Sequence, residues 1–152
     1  MRLLQDPEHI PPVVSIHLPA SIENLPDFIG PVLALASAYH LDEEKKNDLE
    51  LALEEALVNI FRYAYPEKTG MVDLTCRIEG GRLILLIEDE GLPFAIDTTA
   101  AADLTADICE RRIGGLGIHL IKNLMDDVRY RREGNRNLLE LTLSIDPQAV
   151  QR

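Results

Sequence analysis

Two pairs of strand-like runs, each folded back on itself at a two-residue glycine turn, limit this chain more than any other feature. Met71 to Glu79 and Arg82 to Glu88 flank Gly80-Gly81, and Val128 to Glu133 and Arg136 to Ile145 flank Gly134-Asn135. Such turns supply the backbone conformations that antiparallel hairpins demand, so each pair predicts two neighbouring antiparallel strands. In the second pair Leu139, Leu141, Leu143 and Ile145 alternate with polar residues, the pattern of a sheet with one buried face.

That face needs a cover, and the rest of the chain predicts helices for it. A short strand, Val13 to Leu18, ends at Pro19. Ser21 or Asn24 then caps a helix reaching about Tyr39, with Pro26 near its start and Pro31 expected to kink it. A better-marked helix follows. Asp42 caps it, Glu43 and Glu44 favour its positive end, and Leu49, Leu53, Ala56, Ile60 and Ala64 form an apolar stripe up to about Tyr65, where Pro66 stops it. Between the hairpins the small-residue stretch from Leu92 to Ile113 reads as a lid, and a helix from Ile118 to Met125 is expected to start at the last of a group of glycines. The expected fold class is α/β: a two-layer sandwich of a mainly antiparallel sheet with helices on one face. The 152 residues suit one domain, read as a lead-in at 1–12, a core at 13–146 and a tail at 147–152.

The chemistry concentrates on the second helix and the glycines. Glu55 and Asn59 are one helical turn apart, so a carboxylate and an amide project from one face with Cβ atoms on the order of 6 Å apart. An acidic helix usually carries such a Glu as a solvated face. An Asn between Val58 and Ile60 is harder to dismiss, because its helix propensity is mediocre and its amide wants a polar partner. Downstream stand Asp89-Glu90-Gly91 and then Gly114-Gly115-Leu116-Gly117. Either could be turn punctuation, but three glycines in four positions suit backbone N–H groups that approach phosphate closely.

Charge excludes one class of partner. The formal net charge of −11 argues against nucleic acid, whose binding depends on Lys and Arg neutralising phosphates. From Arg111 onward eight basic residues face five acidic ones, a local +3 that leaves −14 on residues 1–110. A solvated strand face accounts for most of Arg129 to Arg136 as well as phosphate handling does. Cys76 and Cys109 have no metal-site spacing and read as ordinary reduced thiols, no secretory leader is recognised, and no apolar run is long enough for a membrane span. A cytoplasmic protein is expected.

The order Glu55-x3-Asn59, Asp89-x-Gly91 with Pro93-Phe94, and Gly114-Gly-Leu-Gly117 followed by IHLIKNLMDDVRY resembles the Bergerat-fold ATPases, also called GHKL or histidine-kinase-like ATPases. Within that superfamily the chain is most similar to the bacterial anti-sigma-factor serine/threonine kinases of partner-switching pathways. The resemblance covers roughly residues 13 to 145 and implies a role for each motif. Asn59 matches the ligand of Mg²⁺, and Glu55 matches the general base or the group that orients the attacking hydroxyl. Asp89 matches the carboxylate that accepts a hydrogen bond from the adenine amine, with Gly91 leaving room for the base. Gly114, Gly115 and Gly117 match the phosphate loop, and Arg112 could reach a phosphate from the lid.

The chain also departs from the pattern. Phe94 is followed by Ala95 and Ile96 where these kinases commonly place Asp directly after Phe, with Asp97 displaced. A helix bearing a phosphoacceptor His is absent, which argues against a sensor histidine kinase. The resemblance thus implies a protein kinase that uses ATP and Mg²⁺ to phosphorylate an anti-sigma-factor antagonist, regulates a sigma factor and can form a homodimer. A nucleotide-dependent binding module without transfer, or a simple ATPase, are the alternatives.

Overall fold

The computed structural model of the chain describes residues 13–67, 69–93 and 113–145. The expected lead-in and tail, Phe94, Ala95, Arg112 and nearly all of the Leu92 to Ile113 stretch lie outside the described residues. In chain order the elements are β1 (Val13–Pro19), a 3₁₀ turn (Ile22–Asn24), α1 (Leu25–Ala38), α2 (Glu43–Tyr63), β2 (Met71–Glu79), β3 (Arg82–Asp89), α3 (Ile113–Leu124), β4 (Asp127–Glu133) and β5 (Arg136–Ser144). The strands form one antiparallel sheet in the order β1-β2-β3-β5-β4.

Both hairpins close as their turns require. Glu79 pairs with Arg82 across Gly80 and Gly81, whose φ values of 60° and 76° suit a turn with two left-handed residues. Glu133 pairs with Arg136 across a turn in which only Gly134 takes positive φ, at 63°. Register then stacks apolar residues on one face: Leu74 opposite Ile87, Ile87 opposite Leu139, Leu85 opposite Leu141. The three helices cover that face, and Phe28, Val32, Leu49, Leu53, Leu57 and Ile121 complete the core. Burying each of these large side chains contributes roughly 1.5–3 kcal/mol.

Helix α2 organises the layer. The Asp42 side chain accepts from the Lys45 N–H at 2.8 Å and caps it, and Leu49, Ala52, Leu53, Ala56, Leu57 and Ile60 are buried along its inner stripe. It ends at Tyr63, within the usual uncertainty of the boundary expected from Pro66. Helix α1 continues through Pro31 without interruption. It ends in a tight cap where Leu41 N–H bonds Ala36 O at 3.0 Å and the exposed His40 takes a left-handed φ of 63°. No described helix is long and apolar enough to cross a membrane.

One boundary differs from expectation. Helix α3 starts at Ile113, so Gly114, Gly115 and Gly117 belong to its first turns and not to a loop ahead of Ile118. Glycine in a helix costs about 1 kcal/mol relative to alanine, which is why the sequence read as a break. The leading N–H groups of a helix have no partner within it, and among the described residues these belong to Ile113, Gly114 and Gly115.

Candidate functional site

Helix α2 carries two of the expected site residues in contrasting environments. Glu55 is half-buried. Asn59, one turn further on, is 2% exposed, and its Nδ2 has no hydrogen-bond partner among the described residues. A buried donor left unpaired costs about 1–3 kcal/mol, so a fold keeps one only where something else engages the amide. No hydrogen bond holds that nitrogen in place. A half-turn of the amide presents Oδ1 instead, a hard oxygen suited to a cation that draws its other ligands from phosphate and water. Among the described residues no group of three or more His, Cys, Asp or Glu could hold a metal by itself. The donor set therefore fits an ion shared with a bound phosphate better than a self-contained protein site.

Asp89 ends β3 on the helix-facing side of the sheet. It is 4% exposed, and its Oδ1 accepts from Gly91 N–H and from Asn137 Nδ2, both at 2.8 Å. No described residue donates to Oδ2. Burial pushes the Asp89 carboxyl above its ordinary range, with the Asn137 and Gly91 hydrogen bonds and the Arg132 and Arg136 charges opposing that shift. The buried carboxyl thus keeps one oxygen fixed by the protein and one available to a ligand donor.

The ends of α2 and β3 are fastened together. Leu92 N–H donates to Ala64 O at 2.8 Å, and Tyr65 Oη accepts from Glu90 N–H and donates to Met71 O, each at 2.8 Å. Gly91 lies so close to α2 that a Cβ there would sit 2.3 Å from Ala64 O. Its missing side chain is therefore demanded first by the protein's own backbone. Ala64 is five residues beyond Asn59, about 7.5 Å along a helix, so the join places the helix of Glu55 and Asn59 against the Asp89 segment. Packing of α3 on α2 brings the glycine-bearing N-terminus into the same layer.

Residues the sequence reading passed over complete the site. Register puts Arg132, Asn137 and Asp89 side by side on β4, β5 and β3. Asn137 is 2% exposed and also donates to Leu92 O at 2.8 Å, while its Oδ1 accepts from Tyr130 Oη at 2.6 Å and Arg132 Nη1 at 3.0 Å. Arg132 Nη1 further donates to Gly91 O at 2.8 Å. Asn137 continues the alternating series of Leu139, Leu141 and Leu143 one step upstream, so a polar residue on a core face was the available signal.

The solvated-face reading holds for Arg129 and Arg131, which pair with Asp127 and Glu133 on the surface, and fails for Arg132 and Arg136. Arg136 meets Asp73, Glu88 and Glu90 at 2.9–3.0 Å, beside a hydrogen bond between His17 Nδ1 and Asp73. Arg136, Asp73, Glu90 and His17 border a cleft of about 340 Å³ with Tyr65, Gly70 and Met71, which contains none of the expected site residues. Its guanidinium is already matched by carboxylates, so the chemistry points to Asn59 and Asp89 instead. Cys76 is a free buried thiol, and burial pushes its pKa up to about 12.

The site joins a metal-suited amide, a half-buried carboxylate and a buried acceptor carboxyl with helix N-terminal N–H groups, on an antiparallel sheet covered by helices. Residues 18–143 match the histidine kinase-like ATPase domain, and the chain belongs to that family. Among curated proteins it is similar to the serine-protein kinase RsbW of Listeria monocytogenes, at 32% identity over 80% of this chain and 81% of that protein. The serine-protein kinase RsbW of Staphylococcus aureus is 31% identical over 79% of each. Among solved structures, the RsbU and RsbW domains of a Mycobacterium tuberculosis protein superpose with a TM-score of 0.62 at 16% identity. That alignment covers 88% of this chain and 32% of the mycobacterial one, and it shows the shared fold.

Proposed function

We propose that this chain is an ATP-dependent protein-serine/threonine kinase that phosphorylates an anti-sigma-factor antagonist and regulates a sigma factor in the cytoplasm. The observation that carries the proposal is the orphaned amide of Asn59 on the same helix face as Glu55, in a chain similar to two serine-protein kinases. Asn59 would hold Mg²⁺, which supplies charge neutralisation to the phosphates when bound. Asp89 Oδ2 would accept from the adenine amine, and the N–H groups at Gly114 and Gly115 would receive phosphate oxygens. Glu55 would take or steer the proton of the substrate hydroxyl as its oxygen bonds to the γ-phosphorus and the bond to ADP breaks. Arg112, from the lid, would add positive charge beside the phosphates, and Gly117 would let the helix backbone approach them.

Transfer of labelled phosphate from ATP to candidate antagonist proteins tests this directly. Glu55→Gln should still bind ATP while transfer falls roughly 10²- to 10⁴-fold. Asn59→Ala should lose both Mg²⁺-dependent binding and transfer. Equal transfer by Glu55→Gln and wild type would remove the proton-handling role, and a wild type that binds ATP yet transfers to no antagonist would leave a nucleotide-dependent binding module.

A further inference from the structure

We propose that Asn137 and Arg132 are specificity-determining positioning residues: together they form a locked amide that keeps Asp89 an acceptor and so selects a purine bearing an amino group at position 6. The inference rests on the nucleotide-binding reading above and assigns its purine preference to residues on the last two strands.

The lock follows from counting donors and acceptors. A side-chain amide has two N–H hydrogens and an oxygen with two lone pairs. Asn137 uses all four, on Asp89 Oδ1 and Leu92 O through Nδ2, and on Tyr130 Oη and Arg132 Nη1 through Oδ1. Turning the amide over would set its oxygen against the Leu92 carbonyl and its NH₂ against the guanidinium. The first group can only accept and the second can only donate, since Arg stays protonated in proteins. The NH₂ group therefore always faces Asp89.

With Gly91 N–H as the second donor, Asp89 Oδ1 accepts from two sides, and both hydrogen bonds favour the carboxylate over the acid, opposing the upward pull of burial. Its other oxygen, without a donor among the described residues, is left to accept. A 6-amino group satisfies it, whereas a 6-oxo group sets lone pairs against lone pairs. Arg132 acts twice, because the nitrogen that holds Asn137 also holds Gly91 O and fixes the turn that aims Asp89.

Affinities for ATP and inosine triphosphate, which replaces the 6-amino group of ATP by an oxo group, measure the lock by calorimetry. Wild type should favour ATP by about 10²-fold or more, as buried polar sites do when a partner is lost. Asn137→Asp puts a carboxylate oxygen against Asp89 and Leu92 O, forces a proton between them, and should bring the ratio to within about tenfold of unity. Arg132→Met should lower the ratio about tenfold, the worth of one charged hydrogen bond, and Arg132→Lys should restore most of it.

A purely structural role would weaken both nucleotides equally, so a ratio unchanged within threefold in Asn137→Asp and Arg132→Met overturns the lock. Should Asn137→Asp fail to fold, Arg132→Met decides alone. A wild type that separates the two nucleotides with variants that keep its ratio overturns the lock only. Equal binding of both by wild type overturns the lock together with the adenine assignment, and binding of neither overturns the kinase proposal with it.

Discussion

Replacing Gly91 with alanine tests the join between α2 and the Asp89 segment. A Cβ at Gly91 would lie 2.3 Å from Ala64 O, 2.5 Å from Ala64 Cβ and 2.7 Å from Ala64 C, so the two backbones must separate by 0.7 Å or more to reach 3.0 Å. That separation stretches the 2.8 Å hydrogen bond from Leu92 N–H to Ala64 O beyond useful length. Overpacking costs about 1–3 kcal/mol and the lost hydrogen bond about 1 kcal/mol, giving roughly 2–4 kcal/mol in all. For a chain of this length that corresponds to a melting temperature lower by about 4–16 °C.

The assay is urea and thermal unfolding of Gly91→Ala, with ATP affinity measured on the folded variant. The urea midpoint should fall at unchanged slope, and ATP should bind more weakly because Gly91 N–H also holds Asp89 Oδ1. Gly30→Ala is the control. Gly30 is exposed within α1 and a Cβ there meets nothing within 4 Å, so that variant should gain about 0.5–1 kcal/mol. A Gly91→Ala protein with wild-type stability and ATP affinity would refute the close approach and with it the docking of α2 on the Asp89 segment.

Asp89→Asn keeps an oxygen for Gly91 N–H and Asn137 Nδ2 and removes a buried charge, so ATP affinity should drop while the nucleotide-free protein melts no lower than wild type. The pH dependence has a definite sign: the folded pKa of Asp89 is raised, so the folded state binds more protons and wild-type stability is lost as pH rises through that pKa, whereas Asp89→Asn lacks this loss. Melting curves across that range in which the variant declines in parallel with wild type would contradict the burial effect. His40→Gly relieves a left-handed φ at the end of α1 and should raise stability by about 0.5–1 kcal/mol, read as a higher urea midpoint. An unchanged or lower midpoint would mean that the cap carries no strain.

Local chemistry made much of the fold legible. The glycine turns, the Asp42 cap, the stripe of α2 and the alternation from Leu139 to Ile145 each act over a few residues, and the hairpins and helix found in the structure follow from them. Helix α3 starts earlier than its sequence predicts, because propensity counts glycine as a breaker while the described helix runs through Gly114, Gly115 and Gly117. Glu55 and Asn59 could be paired from spacing alone, since one turn of helix fixes their common face.

What the amino-acid sequence determined by itself was thus the identity of the elements and the order of the motifs, quantities governed by backbone periodicity, turn conformation and capping. The tertiary structure alone decided that Asn59 is buried with its amide nitrogen unpaired, that Gly91 must lack a Cβ because Ala64 lies against it, and that Asn137 and Arg132 stand beside Asp89. These contacts join residues 27 to 48 positions apart. They depend on strand register and on the docking of a helix end against a sheet end, which no local pattern encodes.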